Sequence, residues 1–164
     1  MTRKRSFPHV TDADTRVLIL GSLPGDASLA HSQYYAHPQN KFWALISEVV
    51  GEDLRAMEYE PRLQALLRHG VGLWDVIAEA RREGSLDSNI ADHAGNDLIG
   101  LLDELPQLKT IGFNGGTAAK LGLKMLKERA THYRIVLLPS SSPAHTMAYA
   151  KKLEQWLSLR DAND

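Results

Sequence analysis

Four short apolar runs interrupt an otherwise mixed sequence: RVLILG (16–21), GVGLWDV (70–76), LKTIGF (108–113) and YRIVLLP (133–139). None alternates polar with apolar residues as a half-exposed strand would, so each is expected to be a strand buried on both faces, as in a parallel sheet covered by helices. Helical patterns lie between them. Phe42, Ile46 and Val49 share a helical face, with Pro38 suited to the first turn and Gly51 to the stop. Further helices are expected over Pro61–His69, over 96–105 with Asn96 as cap, over 116–126, and from Ser142 or a few residues later to Leu159. Strands separated by helices predict an α/β fold: a three-layer α/β/α sandwich around a central, mostly parallel four-stranded sheet.

In such sheets ligands bind at the C-terminal ends of the strands. Those ends carry GSLPG (21–25), Trp74 and Asp75, FNGG (113–116) and LPSSSPAH (138–145), so the unusual residues gather at one edge. GSLPG has the glycines of a tight turn but is neither a P-loop nor a dinucleotide fingerprint. LPSSSPAH offers three hydroxyls and a proline expected to start a helix, which suits a phosphate or an ordinary serine cap. Ser140 lacks the G-x-S-x-G elbow of a hydrolase nucleophile. In SQYYAHPQNKFW (32–43), Pro38 at a helix start would place Asn40 in the first turn, opposite the Gly21–Gly25 loop. An amide there can hold a water or simply serve the helix terminus. Tyr34 and Tyr35 are candidates for stacking on a planar ligand, whereas Phe42 and Trp43 are expected in the core.

Composition narrows the chemistry. The chain has 164 residues, of which 43% are hydrophobic and 24% charged, values ordinary for one globular domain, 1–164, with 1–15 as an N-terminal extension. It has no cysteine, which excludes disulfides, thiolate-bound zinc, iron–sulfur clusters and a cysteine nucleophile. The seven histidines show no H-x-x-x-H or H-E-x-x-H spacing, so no metal is expected. No apolar run approaches the ~20 residues of a membrane span, and no signal peptide follows the basic start, so a cytoplasmic location without membrane contact is expected. The net charge of −1 is neutral evidence about a polyanionic partner. The run Lys120, Lys124, Lys127, Arg129, Arg134 and the start Arg3, Lys4, Arg5 read as a solvated helix face and a tail, with a phosphate track as the alternative.

GSLPG…YYAHPQNKFW near the start and LPSSSPA about a hundred residues on resemble the two signature motifs of the uracil-DNA glycosylase superfamily. The resemblance runs from about Phe7 to Trp156 and is nearest to the hypoxanthine (deoxyinosine) DNA glycosylase branch; mismatch-specific uracil glycosylases share a similar FAHPxNRFW segment. It implies a monofunctional, cofactor-free monomer that flips a deaminated base out of double-stranded DNA and hydrolyses its N-glycosidic bond in base excision repair. Many members carry a catalytic Asp or Asn at the third position of the first loop, where this chain has Leu23. The resemblance therefore assigns catalysis to Asn40, base stacking to Tyr35 and the lining of the base pocket to Gly21, Ser22, Leu23, Pro24 and Gly25. Asp75 and Asn114 are expected to read the base edge. Ser140, Ser141 and Ser142 would grip phosphates, while Pro143, Ala144, His145 and Thr146 occupy the place from which relatives push a wedge into the duplex. Serine stands where several relatives have the histidine of an HPSP motif, which weakens the case for efficient uracil removal. Two alternatives remain: a uracil/thymine or xanthine glycosylase of the same superfamily, or a non-catalytic module that binds nucleotides or single-stranded DNA.

Overall fold

A computed structural model describes residues 3–163. In chain order the elements are β1 (Arg3–Arg5), β2 (Val17–Gly21), α1 (Asp26–His31), α2 (Phe42–Val50), α3 (Tyr59–Arg68), β3 (Val71–Asp75), β4 (Ile77–Arg81), β5 (Ala91–Gly95), α4 (Leu98–Asp103), β6 (Thr110–Asn114), α5 (Gly116–Leu126), β7 (Arg134–Leu138) and α6 (Tyr149–Trp156). A final 3-10 segment spans Leu157–Asn163.

The four apolar runs form one parallel sheet in the order β3-β2-β6-β7. Residues of β2 alternate between two cores. Val17 and Ile19 pack with Phe42, Leu45, Ile46 and Trp156 on one face, and Leu18 and Leu20 pack with Leu98, Leu101, Phe113 and Ala118 on the other. Burial of both faces is why these strands show no polar alternation. The expected three-layer sandwich is therefore present. Register levels the strand ends: Gly21 pairs with Asp75, Leu20 with Phe113 and Asn114 with Leu138. Any side chain or loop at those positions is delivered to the same edge.

A second sheet, antiparallel and ordered β1-β4-β5, was not legible in the sequence. Its strands are RKR, IAEAR and ADHAG, too short and too polar to register as strands, and β5 is exposed throughout. The basic start is thus an edge strand. Arg3 and Arg5 pair with Glu79, and Lys4 pairs with Asp26.

Three helix starts differ from expectation. Pro38 does not open α2: Asn40 N–H donates to His37 O (2.9 Å), closing a separate turn, and the helix begins at Phe42. α4 is capped by Asp97, whose carboxylate accepts from Gly100 N–H (3.0 Å), not by Asn96. The Asn96 amide instead bridges Ser6 Oγ, Asp75 O and Ile77 O. α6 starts only at Tyr149, because the serines after Leu138 hydrogen-bond to their own backbone (Ser140 Oγ from Ser142 N–H, Ser142 Oγ from Ala144 N–H) and hold the chain in turns.

α6 is fastened to the sheet by Trp156, fully buried, with Nε1 donating to Pro139 O at 2.9 Å. Trp156→Ala should cost about 3–5 kcal/mol, a Tm loss on the order of 10 °C by thermal unfolding. A shift of a degree or two would show that α6 is not held this way.

Candidate active site

A cavity of about 410 Å³ opens at the level strand ends. Gly21 sets its floor. A Cβ there would lie 2.7 Å from Asp75 Oδ1 and 3.1 Å from Tyr35 Oη, so only glycine lets these two groups converge beneath the loop. Behind the loop, the buried guanidinium of Arg82 donates to Leu23 O (3.4 Å) and Pro24 O (2.6 Å), fixing the backbone of GSLPG. Leu23 itself is buried, so the third loop position carries no reactive group to the cavity.

The two aromatic candidates separate. Tyr34 is buried in the core, its hydroxyl donating to Pro8 O (3.2 Å), although it too borders the cavity. Tyr35 reaches the cavity with its ring stacked on Phe42, centroids 4.0 Å apart and planes 15° from parallel. Its backbone is left-handed (φ 56°), a conformation that costs a tyrosine about 1 kcal/mol or more and is held by that packing.

Asn40 also lines the cavity, in the turn before α2. Its Oδ1 accepts from Phe42 N–H at 2.9 Å. The first free N–H of the helix therefore orients the amide, leaving Nδ2 and one lone pair of Oδ1 for a ligand. Pro38 does not start the helix as expected, but Asn40 lines the same cavity as the glycine loop.

At the third strand end, Asn114 Nδ2 donates to Ser141 Oγ and Ser141 N–H donates to Asn114 Oδ1, both at 2.9 Å. Ser141 is buried, and its hydroxyl faces inward to this pair and not outward to a phosphate. Ser140 and Ser142 line the mouth with Pro143, Ala144 and His145, whereas Thr146 does not reach it. Beneath this loop the Lys152 ammonium, only 3% exposed, donates to Ser142 O (3.2 Å). Burial and the neighbouring Lys41 hold it below the ordinary lysine range.

Several contributors escaped the sequence reading. The segment after β4 supplies Ser85, Leu86 and Asp87, and the loop before α2 adds His37. Ser22 Oγ donates to Asp87 Oδ1 at 2.7 Å, tying that segment to the first loop. Nothing in the sequence of this segment indicated that the chain folds back onto GSLPG.

Asp75 is 3% exposed, and its Oδ2 and the Tyr35 hydroxyl have no hydrogen-bond partner. Burial, then the nearby Asp87 carboxylate, push Asp75 up to about 7 against the opposing pull of Arg82. Burial and Asp75 likewise push the Tyr35 hydroxyl up. Both residues border the cavity. Among the described residues no cluster of His, Asp and Glu suits a metal ion. The basic run does not reach this edge: α5 carries Lys120 and Lys124 away from it, and Arg129 pairs with Asp103 (2.7 Å).

Parallel sheet, glycine loop, amide-bearing turn and serine loop fit the superfamily that the sequence resembles. A sequence model of the uracil DNA glycosylase superfamily matches residues 7–163, and the chain belongs to that superfamily. Its relatives include the hypoxanthine DNA glycosylase of Methanosarcina barkeri, 42% identical over 154 residues that cover 94% of this chain and 96% of that one. The hypoxanthine DNA glycosylase of Methanosarcina acetivorans is 42% identical over 93% of this chain and 95% of its own. A solution NMR structure of a candidate uracil DNA glycosylase from Methanosarcina acetivorans superposes with a TM-score of 0.87, at 41% identity over 99% of this chain and 100% of that one. No helix among the described residues is long and apolar enough to cross a membrane.

The raised Asp75 couples stability to pH. Between its ordinary 3.8 and about 7 the folded protein retains a proton that the unfolded chain has lost, so stability falls as pH rises through that window and levels off above it. Asp75→Asn, which cannot ionise, should lack this fall, so its Tm relative to the unaltered protein should climb from acid to neutral pH. A constant Tm difference would show that Asp75 titrates as an ordinary carboxyl.

Proposed function

We propose that the protein is a monofunctional hypoxanthine DNA glycosylase, which flips deoxyinosine out of double-stranded DNA and hydrolyses the bond between C1′ and N9. The observation that carries this reading is Asn40: an amide oriented by the Phe42 N–H on the wall of a cavity whose base holds the unpartnered Asp75 and Tyr35. The names of the two Methanosarcina relatives support hypoxanthine as the base.

Bond breaking builds oxocarbenium character on the deoxyribose and negative charge on the departing purine. Water supplies a hydroxyl to C1′ and a proton to the purine, so no covalent intermediate is needed. Asn40 Oδ1 would accept from the attacking water and aim it at C1′. An amide is a weak base, so turnover should be modest. Tyr35, backed by Phe42, would stack on the flipped base, a contact worth about 1–3 kcal/mol. Hypoxanthine presents an acceptor at O6 and a donor at N1, and a carboxyl poised near neutrality can serve either. Asp75 and Asn114, with backbone groups of Ser22 and Leu23, would read that edge. Ser140 and Ser142 would contact phosphates beside the lesion, with Lys152 bracing their loop. No lysine lines the cavity among the described residues, so no amine is placed for imine formation and strand cleavage.

The test is single-turnover release from duplexes carrying one hypoxanthine, uracil, thymine or xanthine, with the freed base weighed by mass spectrometry. Hypoxanthine should leave fastest, giving an intact strand with an abasic site. Asn40→Ala should lower that rate by more than about tenfold at unchanged KM, as loss of a positioning term does. Preferred release of another base would move the protein to a different branch; binding without release would make it a recognition module.

A further inference from the structure

Every carbonyl of the glycine loop GSLPG (21–25) is occupied from one side. Gly21 O accepts from Val76 N–H (2.8 Å), Ser22 O from Ile77 N–H (3.1 Å) and Gly25 O from Leu29 N–H (3.0 Å). The two in the middle, Leu23 O and Pro24 O, accept instead from Arg82, through Nη1 at 3.4 Å and Nη2 at 2.6 Å. The remaining guanidinium nitrogen, Nε, donates to Gly84 O (2.7 Å), a carbonyl that Lys4 of β1 also reaches (2.6 Å). All five loop residues line the cavity, whereas Leu29, Val76, Ile77 and Arg82 do not. No peptide bond among the described residues is cis, and in a trans peptide the N–H points opposite to the C=O. The N–H groups of Ser22, Leu23 and Gly25 are therefore turned toward the cavity.

The peptide between Pro24 and Gly25 is the one its own chain constrains least. Glycine adopts positive and negative φ about equally, so the backbone of Gly25 (φ −70°, ψ 170°) does little to stop that peptide from turning over, which would send its N–H away from the cavity. Arg82 holds the peptide by its carbonyl. As a means of stability this is a costly device. The guanidinium belongs to a residue 1% exposed, it faces neutral carbonyls, and the carboxylate within ion-pair reach, Asp26, stands 3.9 Å away. A charge buried without a close counter-ion disfavours folding, so packing alone does not account for an arginine here. A function in the loop does.

We propose that Arg82 is a positioning residue for base release: by holding the Leu23 and Pro24 carbonyls from behind, it keeps the Gly25 N–H, with those of Ser22 and Leu23, facing the base as negative charge develops on it. Donors fixed in advance of the reaction stabilise such charge without reorganising. The inference rests on the glycosylase reading above and places control of the loop on a side chain that lies outside the cavity.

The test measures single-turnover release of hypoxanthine at saturating enzyme, binding to a duplex that carries an abasic site, and the amide NMR signal of Gly25. It compares the unaltered protein with Arg82→Met, Arg82→Lys and Asn89→Ala, each well below its own Tm. Arg82→Met should lower the maximal rate by about tenfold or more, as loss of a positioning or electrostatic contribution does, leave binding to the abasic duplex unchanged, and broaden or split the Gly25 signal. Arg82→Lys keeps the charge without the fork and should lose less. Should Arg82→Met not fold, Arg82→Lys carries the test, with a lowered rate and the same change at Gly25. Asn89→Ala removes a bond to Glu83 O in the same segment that does not touch the glycine loop, and should release base at the unaltered rate. An unchanged rate in both Arg82 variants, an equal loss in Asn89→Ala, or a loss matched by weaker binding to the abasic duplex would overturn the proposal. Release of no base by the unaltered protein overturns the glycosylase reading and the role of Arg82 with it, a result distinct from the other three.

Discussion

The reciprocal pair between the Asn114 amide and Ser141 is the constraint on which the site depends. The two motifs lie on different strands, and parallel register brings their ends level without fixing the loops that follow. Asn114 closes that freedom by giving its carbonyl to the Ser141 N–H and its amine to the Ser141 hydroxyl, in a buried place where either group left unpaired would cost about 1–3 kcal/mol. Ser141 O then accepts from Lys41 N–H (3.0 Å), next to Asn40. One chain of bonds therefore runs from the end of β6 through the serine loop to the backbone beside the amide proposed to hold the water.

Around this pair the cavity is kept polar at its base and closed behind. Arg82 braces the glycine loop, Asp87 joins it to the segment after β4, and Gly21 leaves room for Asp75 and Tyr35 to face the same point. The left-handed backbone of Tyr35 is a cost that persists because its packing against Phe42 enforces it.

The parallel sheet was legible in the sequence because burial of both faces leaves an uninterrupted apolar run, and the site edge followed from strand direction. The first-motif stretch was legible through its motif: Asn40, Tyr35 and the glycine loop do line one cavity. The second sheet was not, because strands such as RKR and ADHAG are held by backbone pairing and surface ion pairs that leave no periodicity. Arg82 and Lys152 were hidden for a related reason. Charged residues are ordinarily read as solvated, and only the fold reveals that both are turned inward onto backbone carbonyls. Long-range closure also concealed the placement of Ser85 and Asp87, since the contacts that hold them join residues about sixty positions apart.

The account stands most directly on the coupling between the two motif loops. A double-mutant cycle of Asn114→Ala and Ser141→Ala measures it, with single-turnover release of hypoxanthine as the readout and Tm as the check on folding. Asn114→Ala removes both bonds and Ser141→Ala only the one to its hydroxyl, so Asn114→Ala should lower the rate nearly as much as both changes together, and the interaction energy should be at least about 1 kcal/mol. Strictly additive losses would contradict the account, since they would mean that the two loops reach their places independently.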